Sequence, residues 1–249
     1  MAKHISILFL ILIFSQQCKT PSVKLTSQAD PDIVLINIED GDRDFLGKLL
    51  LKIDSLKPIV IGIDIFFPEQ KDRKQDSTLI DALKKVKNDI LVYSINENGK
   101  YSGSHQSFTS LATNVGFLEY EKTFNLISNM TPVPRIDGKV HVSFALKIIH
   151  HWKPDFNSKI KVNQRIPINY TRTLKQFLHL DGSFLLETNI NNFDLKNKVI
   201  LVGYIGPKQE DKHFTPLRLV NEDHNHDEPD TYGLVIIANQ IRTILEYGK

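Results

Sequence analysis

The chain has 249 residues and a mass of 28.5 kDa, and its 31 Lys and Arg residues against 29 Asp and Glu residues give a formal net charge of +2. This near balance excludes a strongly basic nucleic-acid-binding protein and an acidic solvating tail. The composition, 41% hydrophobic and 24% charged, is that of a globular domain with a buried core. The single cysteine, Cys18, excludes an internal disulfide and a zinc site of several thiolates.

The N-terminal residues have the pattern of an export signal. Lys3 precedes an apolar run over residues 5–14, which is shorter than the ~20 residues that a transmembrane helix needs. We therefore predict an export signal or short membrane anchor over 1–17, a polar tether over 18–31, and lipidation of Cys18 as in bacterial lipoproteins. Gln17 is not the small residue usual before a lipidated cysteine, so an uncleaved anchor and an untargeted amphipathic N-terminus stay open. Either form of attachment predicts a domain facing the periplasm or the cell exterior.

Apolar runs alternate with amphipathic stretches in the first half of the remaining chain. The pattern predicts buried strands over 33–38, 59–67 and 90–93, a helix over 45–56, and a second helix capped by Asp76 and reaching Val86. Alternating strands and helices are typical of a parallel sheet with right-handed crossovers. We predict a single α/β domain over 32–249, with a mostly parallel sheet and flanking helices.

The second half continues with more irregular elements. Residues 95–113 are rich in Ser, Asn and Gly and predict a long surface excursion with few apolar anchors. Beyond a strand over 115–118, we predict a helix from Ser143 to His151 and an edge strand over 166–170, because its proline cannot donate to a ladder. A buried strand over 198–203 and an apolar helix over 232–247 complete the domain.

Carboxylates follow the predicted buried strands. Glu39 and Asp40 come after the first strand, Asp64 lies at the end of the second, and Asp211 lies in the loop after the strand that ends at Gly203. In an open parallel sheet, ligands bind at the carboxyl ends of the strands. One interpretation is a divalent cation held by carboxylates, which would make the protein a metal-assisted hydrolase. The other is that these side chains only hold neighbouring loops in place.

Sequence motifs for other chemistry are absent. The chain has no G-x-G-x-x-G after its first strand, no phosphate-binding G-x-x-x-x-G-K-[ST], and no G-x-S-x-G nucleophile turn. Two imidazoles, His224 and His226, lie in the polar run 219–230, where a solvated loop is the simpler interpretation than a metal site. We therefore predict a protein that is not an enzyme and has no cofactor and no bound metal.

The order of several segments resembles the CHASE2 domain, an extracellular sensory domain associated with bacterial cyclases and histidine kinases. The segments that carry the resemblance are 58–67, 116–117, 168–170, 197–203, 210–217 and 232–239. The most specific are Asp211-x-x-x-Thr215-Pro216-Leu217 and the later Gly233-x-x-x-x-Ala238-Asn239. The sequence departs from the family in lacking a Trp-Pro-Trp-x-Arg-like segment at 42–47 and in having Ile237 where a histidine is frequent.

The resemblance implies an extracytoplasmic α/β sensor that answers to a small-molecule or protein signal. The candidate ligand-binding residues are Glu39, Asp64, Gly203, Asp211, Thr215, Pro216, Gly233 and Asn239. Family members usually carry transmembrane helices and a cytoplasmic output module after the sensor, and we expect this chain, which stops at Lys249, to lack an output module. A membrane kinase or cyclase is then the expected partner, and nucleic acid is not.

A scaffold lipoprotein that binds a membrane partner through its last helix is a further alternative. Such a protein would expose an apolar stripe on that helix, since monomers seldom leave large apolar patches bare. The residues that would form the stripe are Ile236, Ile237, Ile241 and Ile244.

Overall fold

A computed structural model describes residues 23–95, 100–118, 120–123, 125–188, 194–207, 211–220 and 227–248. The helices are α1 (Arg43–Ser55), α2 (Arg73–Lys85), α3 (Gln106–Thr109), α4 (Phe144–Trp152), α5 (Gly182–Glu187) and α6 (Gly233–Tyr247). The strands are β1 (Ile33–Asn37), β2 (Val60–Ile63), β3 (Asp89–Ile95), β4 (Tyr101–Gly103), β5 (Asn114–Phe117), β6 (Glu121–Thr123), β7 (Leu126–Met130), β8 (Arg135–Ile136), β9 (Lys139–Val140), β10 (Ile166–Pro167), β11 (Leu178–Asp181), β12 (Val199–Gly203), β13 (Lys212–His213) and β14 (Thr231–Tyr232).

The central sheet is almost entirely parallel. Its described strands run in the order β11, β1, β12, β2, β3, and β5 pairs with the outer edge of β3, each pair being parallel. Only β4 pairs antiparallel, against the end of β3. The runs that form β1, β2 and β12 are buried along their whole length, which is expected of parallel strands covered on both faces.

Helices cover both faces of this sheet. Alternate residues of each strand point to opposite sides, so Leu35 and Leu201 pack with α4 and α6, whereas Ile36 and Val202 pack with α1 and α2. The result is a three-layer arrangement of helices, sheet and helices. The predicted α/β class, with a mostly parallel sheet and flanking helices in a single domain, is confirmed.

The excursion predicted for residues 95–113 is more ordered than expected. It contains β4 and the short helix α3, and it is anchored by Phe108, whose side chain is fully buried against Phe67. The backbone of Phe67 also accepts a hydrogen bond from His105 N (2.7 Å). Phe108, with Leu111 and Ala112 packed on the same core cluster, therefore anchors a segment whose polar composition predicted few core contacts.

Helix α2 begins one turn earlier than its predicted cap. Asp72 is the capping residue, and its carboxylate accepts a hydrogen bond from Gln75 N (2.9 Å). Asp76 lies within the first turn, where it accepts from Lys71 N (2.8 Å) and pairs with Arg43 of α1. The sequence offers two aspartates one turn apart, of which the first caps the helix and the second pairs with Arg43 from within its first turn.

The segment before β1 is packed against the domain. Thr26 N donates to Thr171 O (2.9 Å) and Asp30 N donates to Gln176 O (2.7 Å). The side chain of Asp30 is fully buried and lies between the guanidinium groups of Arg242 and Arg172. At least residues 26–30 of the predicted tether over 18–31 are thus part of the folded unit.

None of the helices in the described residues has both the length and the apolarity needed to cross a membrane. The predicted signal or anchor over 1–17 and the lipidation candidate Cys18 lie outside the described residues, so both stay predictions.

Candidate functional site

A cavity of about 320 Å³ opens at the carboxyl end of the central sheet. It is situated beyond the ends of β1, β2 and β12, where a parallel sheet usually binds its ligands. Its described lining consists of Ile38, Glu39, Asp40, Asp64, Ile65, Tyr204 and Asp211. Carboxylates therefore dominate the polar part of the wall, and no lysine, arginine or histidine is among these lining residues.

Asp64 reaches the cavity because it directly follows β2. Its backbone N–H donates to Val202 O (2.8 Å), which extends the ladder between β2 and β12 by one residue. Gly203, at the end of β12, leaves room for it: a Cβ there would lie 2.8 Å from Leu234 Cδ2 and 3.4 Å from Asp64 Cβ. Glycine at position 203 thus allows α6 and Asp64 to approach the strand end closely.

Asp211 is carried to the same place by a short antiparallel pair. In the β13–β14 ladder Lys212 lies opposite Tyr232, so the preceding Asp211 lies beside Gly233, the first residue of α6. Asp64 and Asp211 are distant in sequence, and the cavity brings them together across the carboxyl edge of the sheet.

Three side-chain oxygens surround the bare Cα of Gly233. A Cβ at this position would lie 3.1 Å from Tyr120 Oη, 3.3 Å from Asp64 Oδ2 and 3.6 Å from Asp211 Oδ1. Within the described part of the chain, none of these three side chains forms a hydrogen bond or an ion pair. All three residues are partly exposed. Asp64 and Asp211 line the cavity, and Tyr120 and Gly233 lie beside them, so these oxygens are available to a hydrogen-bond donor from solution.

The environment raises the pKa values of all three groups. Burial raises the pKa of Asp64 to about 7, and the nearby charge of Asp211 adds to the increase. Burial raises the pKa of Asp211 to about 6. Burial and the two carboxylates together raise the pKa of Tyr120 well above its usual value, so this hydroxyl stays protonated. The two carboxyls titrate as an interacting pair near neutral pH.

Asn37 holds the loops at the rim of the cavity, although nothing in the sequence around it indicates a functional role. Its Oδ1 accepts hydrogen bonds from Glu39 N (3.0 Å) and Ile205 N (2.8 Å), and its Nδ2 donates to Asp181 Oδ1 (2.8 Å). It therefore holds the loops after β1 and β12 against each other. Glu39 itself is engaged in structure, because its Oε2 accepts from Ser183 N (2.9 Å) in the first turn of α5.

Three of the remaining candidate ligand residues serve the packing of α6 and its preceding loop. Thr215 is fully buried, hydrogen-bonds to Thr231 Oγ1 (2.8 Å), and caps the short 3₁₀ turn that Pro216 begins. Asn239 is also fully buried and accepts from the N–H groups of Thr171 (3.1 Å) and Arg172 (3.2 Å). None of these residues lines the cavity.

The structure gives little support to a metal centre. Among the described residues, no group of three or more His, Cys, Asp or Glu side chains is placed to hold a metal ion. Glu39, Asp64 and Asp211 line one cavity, but Glu39 is occupied by α5. His224 and His226 lie outside the described residues.

The exposed apolar stripe expected of a scaffold protein is not present on α6. Ile236, Ile237, Ile241 and Ile244 are fully buried in the core cluster beneath the sheet. The last helix is therefore a core element, and the apolar pattern that suggested a docking surface reflects packing against β12 and α4.

A second cavity of about 310 Å³ is located on the other side of β14. Its lining includes His179 after the start of β11, Leu217, and Tyr232 and Val235 at the start of α6. Asp230 is the one carboxylate in its described lining, whereas four line the cavity at the carboxyl end of the sheet. We therefore place the candidate functional site at the latter, called the cavity at Gly233 after the helix start that lies beside it.

Comparison with known proteins identifies the family of the chain. A family model, the CHASE2 domain, matches residues 19–249, nearly the whole chain. The chain belongs to the CHASE2 family. This confirms the resemblance drawn from the ordered segments, and CHASE2 domains are extracytoplasmic sensory domains of signalling proteins. No curated protein and no solved structure matches the chain.

Within this CHASE2 domain, sequence reasoning missed Tyr120. It follows β5 and reaches Gly233 only through the fold, and its ring packs against His213 at a centroid distance of 4.8 Å. No local pattern around residue 120 indicates this position, because the contact joins segments that are more than 90 residues apart in a sequence of 249.

Proposed function

We propose that this CHASE2 domain senses a small solute outside the cytoplasm by binding it in the cavity at Gly233. The observation that carries the proposal is the set of three unpartnered oxygens, from Tyr120, Asp64 and Asp211, around the first residue of α6. A concave site with a few convergent polar groups and perturbed carboxyls is typical of a binding site. We assign no catalytic role to it.

The position of the cavity suggests how ligand binding affects the conformation of the rest of the domain. Gly233 begins α6, whose fifteen residues form a rod about 22 Å long. A solute that contacts the first turn of α6 therefore acts on an element that packs along the core as far as Tyr247. Binding that favours one position of α6 would convert occupancy into a conformational signal.

We further propose that the domain is attached to the membrane through its N-terminal residues, with Cys18 as the lipidated residue, and that it passes its signal to a membrane kinase or cyclase. The family role and the signal-like pattern of residues 1–17 support this arrangement. Fatty-acid labelling of the wild-type chain, compared with Cys18→Ser, tests the attachment.

The binding proposal is tested by blocking the cavity without changing its charge. We expect at least one solute in a panel of ammonium salts, carboxylates, sugars and amides to raise the melting temperature of the membrane-extracted full chain. Gly233→Ala places a methyl group 3.1–3.6 Å from the three oxygens and should abolish most of that shift.

Gly138→Asn is the matched control, because Gly138 has a φ of +77°, which asparagine tolerates, and has open space around its Cα. This control should respond to the solute as the wild type does. A solute-induced shift that survives in Gly233→Ala would locate the binding site elsewhere and would overturn the proposal, as would a panel without any response.

A further inference from the structure

The cavity at Gly233 has an electrostatic character that restricts the chemistry of its ligand. Four carboxyl groups, those of Glu39, Asp40, Asp64 and Asp211, line it, and no basic side chain is among its described lining. An anionic solute would meet this negative wall at close range. Among the described residues around the cavity, the positive end of α6 is the feature that favours an anion, and Asp64 and Asp211 already lie beside it.

The number and arrangement of acceptors indicate which cation fits. Asp64 Oδ2, Asp211 Oδ1 and Tyr120 Oη all lie close to one point above Gly233 and have no hydrogen-bond partner in the described chain. A primary ammonium group has three N–H donors, and hydrogen bonds from a cation to a carboxylate are among the strongest in proteins. Calcium is usually bound by several protein oxygens, and the described residues form no group of three or more His, Cys, Asp or Glu side chains placed to hold a metal ion.

The rest of the cavity suits a carbon skeleton. Ile38 and Ile65 contribute apolar walls, and Tyr204 contributes an aromatic ring. The cavity volume of about 320 Å³ exceeds what a single metal ion requires and is within the range of small-molecule binding sites.

We propose that the ligand of this cavity is a small organic cation with a primary ammonium group, held by Asp64, Asp211 and Tyr120. The inference rests on the proposed sensing function and specifies its ligand class. The ammonium group replaces the missing hydrogen-bond partners of these oxygens, and the alkyl part lies against Ile38 and Ile65.

Binding of such a cation requires ionised carboxylates and therefore releases protons to the solvent. Among the described residues, the titratable groups at the site are Glu39, Asp40, Asp64, Tyr120, Tyr204 and Asp211, and the ring of His213 packs against Tyr120. Burial raises the pKa of Asp64 to about 7 and that of Asp211 to about 6, whereas burial lowers the pKa of His213 to about 4. Affinity for the ammonium group should thus rise at least fivefold between pH 5.5 and pH 8.

Calorimetric titration of the membrane-extracted full chain with n-propylammonium chloride tests the inference. Tetramethylammonium chloride has the same charge but no N–H donor, and we expect it to bind at least tenfold more weakly. Asp64→Asn and Asp211→Asn should each weaken propylammonium binding at least tenfold, and Tyr120→Phe about threefold. Asp81→Asn removes the same charge from the exposed side of α2 and should change nothing.

The outcomes separate the ligand class from the sensing function. If an anionic or neutral solute, or Mg²⁺, binds in a manner that Gly233→Ala abolishes while propylammonium does not bind, the sensing site stands and the ammonium class is wrong. Equal binding of tetramethylammonium, or propylammonium binding that Asp64→Asn leaves intact, also overturns the ligand class. If no solute binds at this cavity, both proposals fail.

Discussion

At the scale of single residues, Asp64 is the most unusual side chain of the domain, because it lies in the cavity wall without a hydrogen-bond partner in the described chain. Its raised pKa of about 7 means that the folded protein holds this proton more tightly than the unfolded chain does, whose aspartates titrate near 3.9. Below about pH 4, Asp64 is protonated in both the folded and the unfolded state, so it does not lower the free energy of unfolding. It lowers the free energy of unfolding progressively as the pH rises to about 7, and the loss is constant above that.

Replacing Asp64 with asparagine should remove this loss. We expect Asp64→Asn to raise the free energy of unfolding by about 1–3 kcal/mol at pH 8 and to change it little at pH 4, since one unit of pKa corresponds to 1.36 kcal/mol. Urea unfolding at both pH values measures the effect, with Asp81→Asn as the exposed control. Parallel pH profiles for the wild type and Asp64→Asn would show that Asp64 titrates normally in the folded protein.

Some residues of the candidate site could be predicted from the sequence and others could not. Asp64, Asp211 and the neighbouring glycines could be predicted as neighbours because they follow apolar strands or open a helix, and parallel strands end at a common edge. Asn37 and Tyr120 could not be predicted. Asn37 looks like the last residue of an ordinary strand, and Tyr120 reaches the site only through long-range packing of β5 against the helical layer.

At the scale of elements, prediction succeeded where burial is continuous. The strands β1, β2 and β12 and the helix α6 are buried along most of their length, so composition alone identifies them. The edge strand β11 was missed because its residues are mostly exposed and alternate between Leu, His and Asp. Its neighbour α5 is only six residues long, too short for a helical period to be visible.

The side-chain amide of Asn239 makes several of the hydrogen bonds that join helix α6 to the loop before β11. The side chain of Asn239 accepts from Thr171 N and Arg172 N and donates to Arg172 O (2.9 Å). Asn239→Ala leaves these backbone groups without partners, so we expect a loss of about 2–4 kcal/mol in the free energy of unfolding. Urea unfolding measures it.

Glu246→Ala provides the control on the same helix, since Glu246 is exposed and accepts one hydrogen bond from Asn169 Nδ2 (3.0 Å). The loss should be below about 1 kcal/mol there, as is usual for surface substitutions. Equal losses in the two variants would mean that the Asn239 hydrogen bonds add nothing to the attachment of α6.

At the scale of the whole molecule, an ion pair joins the segment before β1 to the C-terminal half of α6. Arg242 Nε donates to Asp30 Oδ2 (2.7 Å), and its Nη2 donates to Asp32 Oδ2 (2.9 Å) and to Asp30 Oδ1. Arg172 Nε lies 3.2 Å from Asp30 Oδ2. Although burial opposes ionisation, the hydrogen bonds and charge of Arg242 keep the pKa of Asp30 below its usual value.

Asp30→Asn should therefore be strongly destabilising, because it leaves the largely buried guanidinium of Arg172 without a carboxylate and that of Arg242 with only the more exposed Asp32. We expect a loss of about 3–5 kcal/mol near pH 7, measured by chemical unfolding. The contribution of Asp30 is complete above the usual aspartate pKa and is lost only as the pH falls through its lower folded value, so wild type and Asp30→Asn should converge in strong acid. Asp155→Asn, at an exposed position, should change stability by less than about 0.5 kcal/mol. A cost for Asp30→Asn similar to that of this control would contradict the assignment.

The position of Arg242 on α6 has a thermodynamic consequence for sensing. Gly233 lies beside Asp64 and Asp211 of the cavity wall, and Arg242 forms an ion pair with Asp30 about 14 Å further along the same helix. If occupancy of the cavity favours one placement of α6, reciprocity requires that any force or partner acting on the segment at Asp30 changes the affinity of the cavity by the same factor. Under the proposed membrane attachment, tension on the N-terminal segment and solute concentration would then act on the same equilibrium.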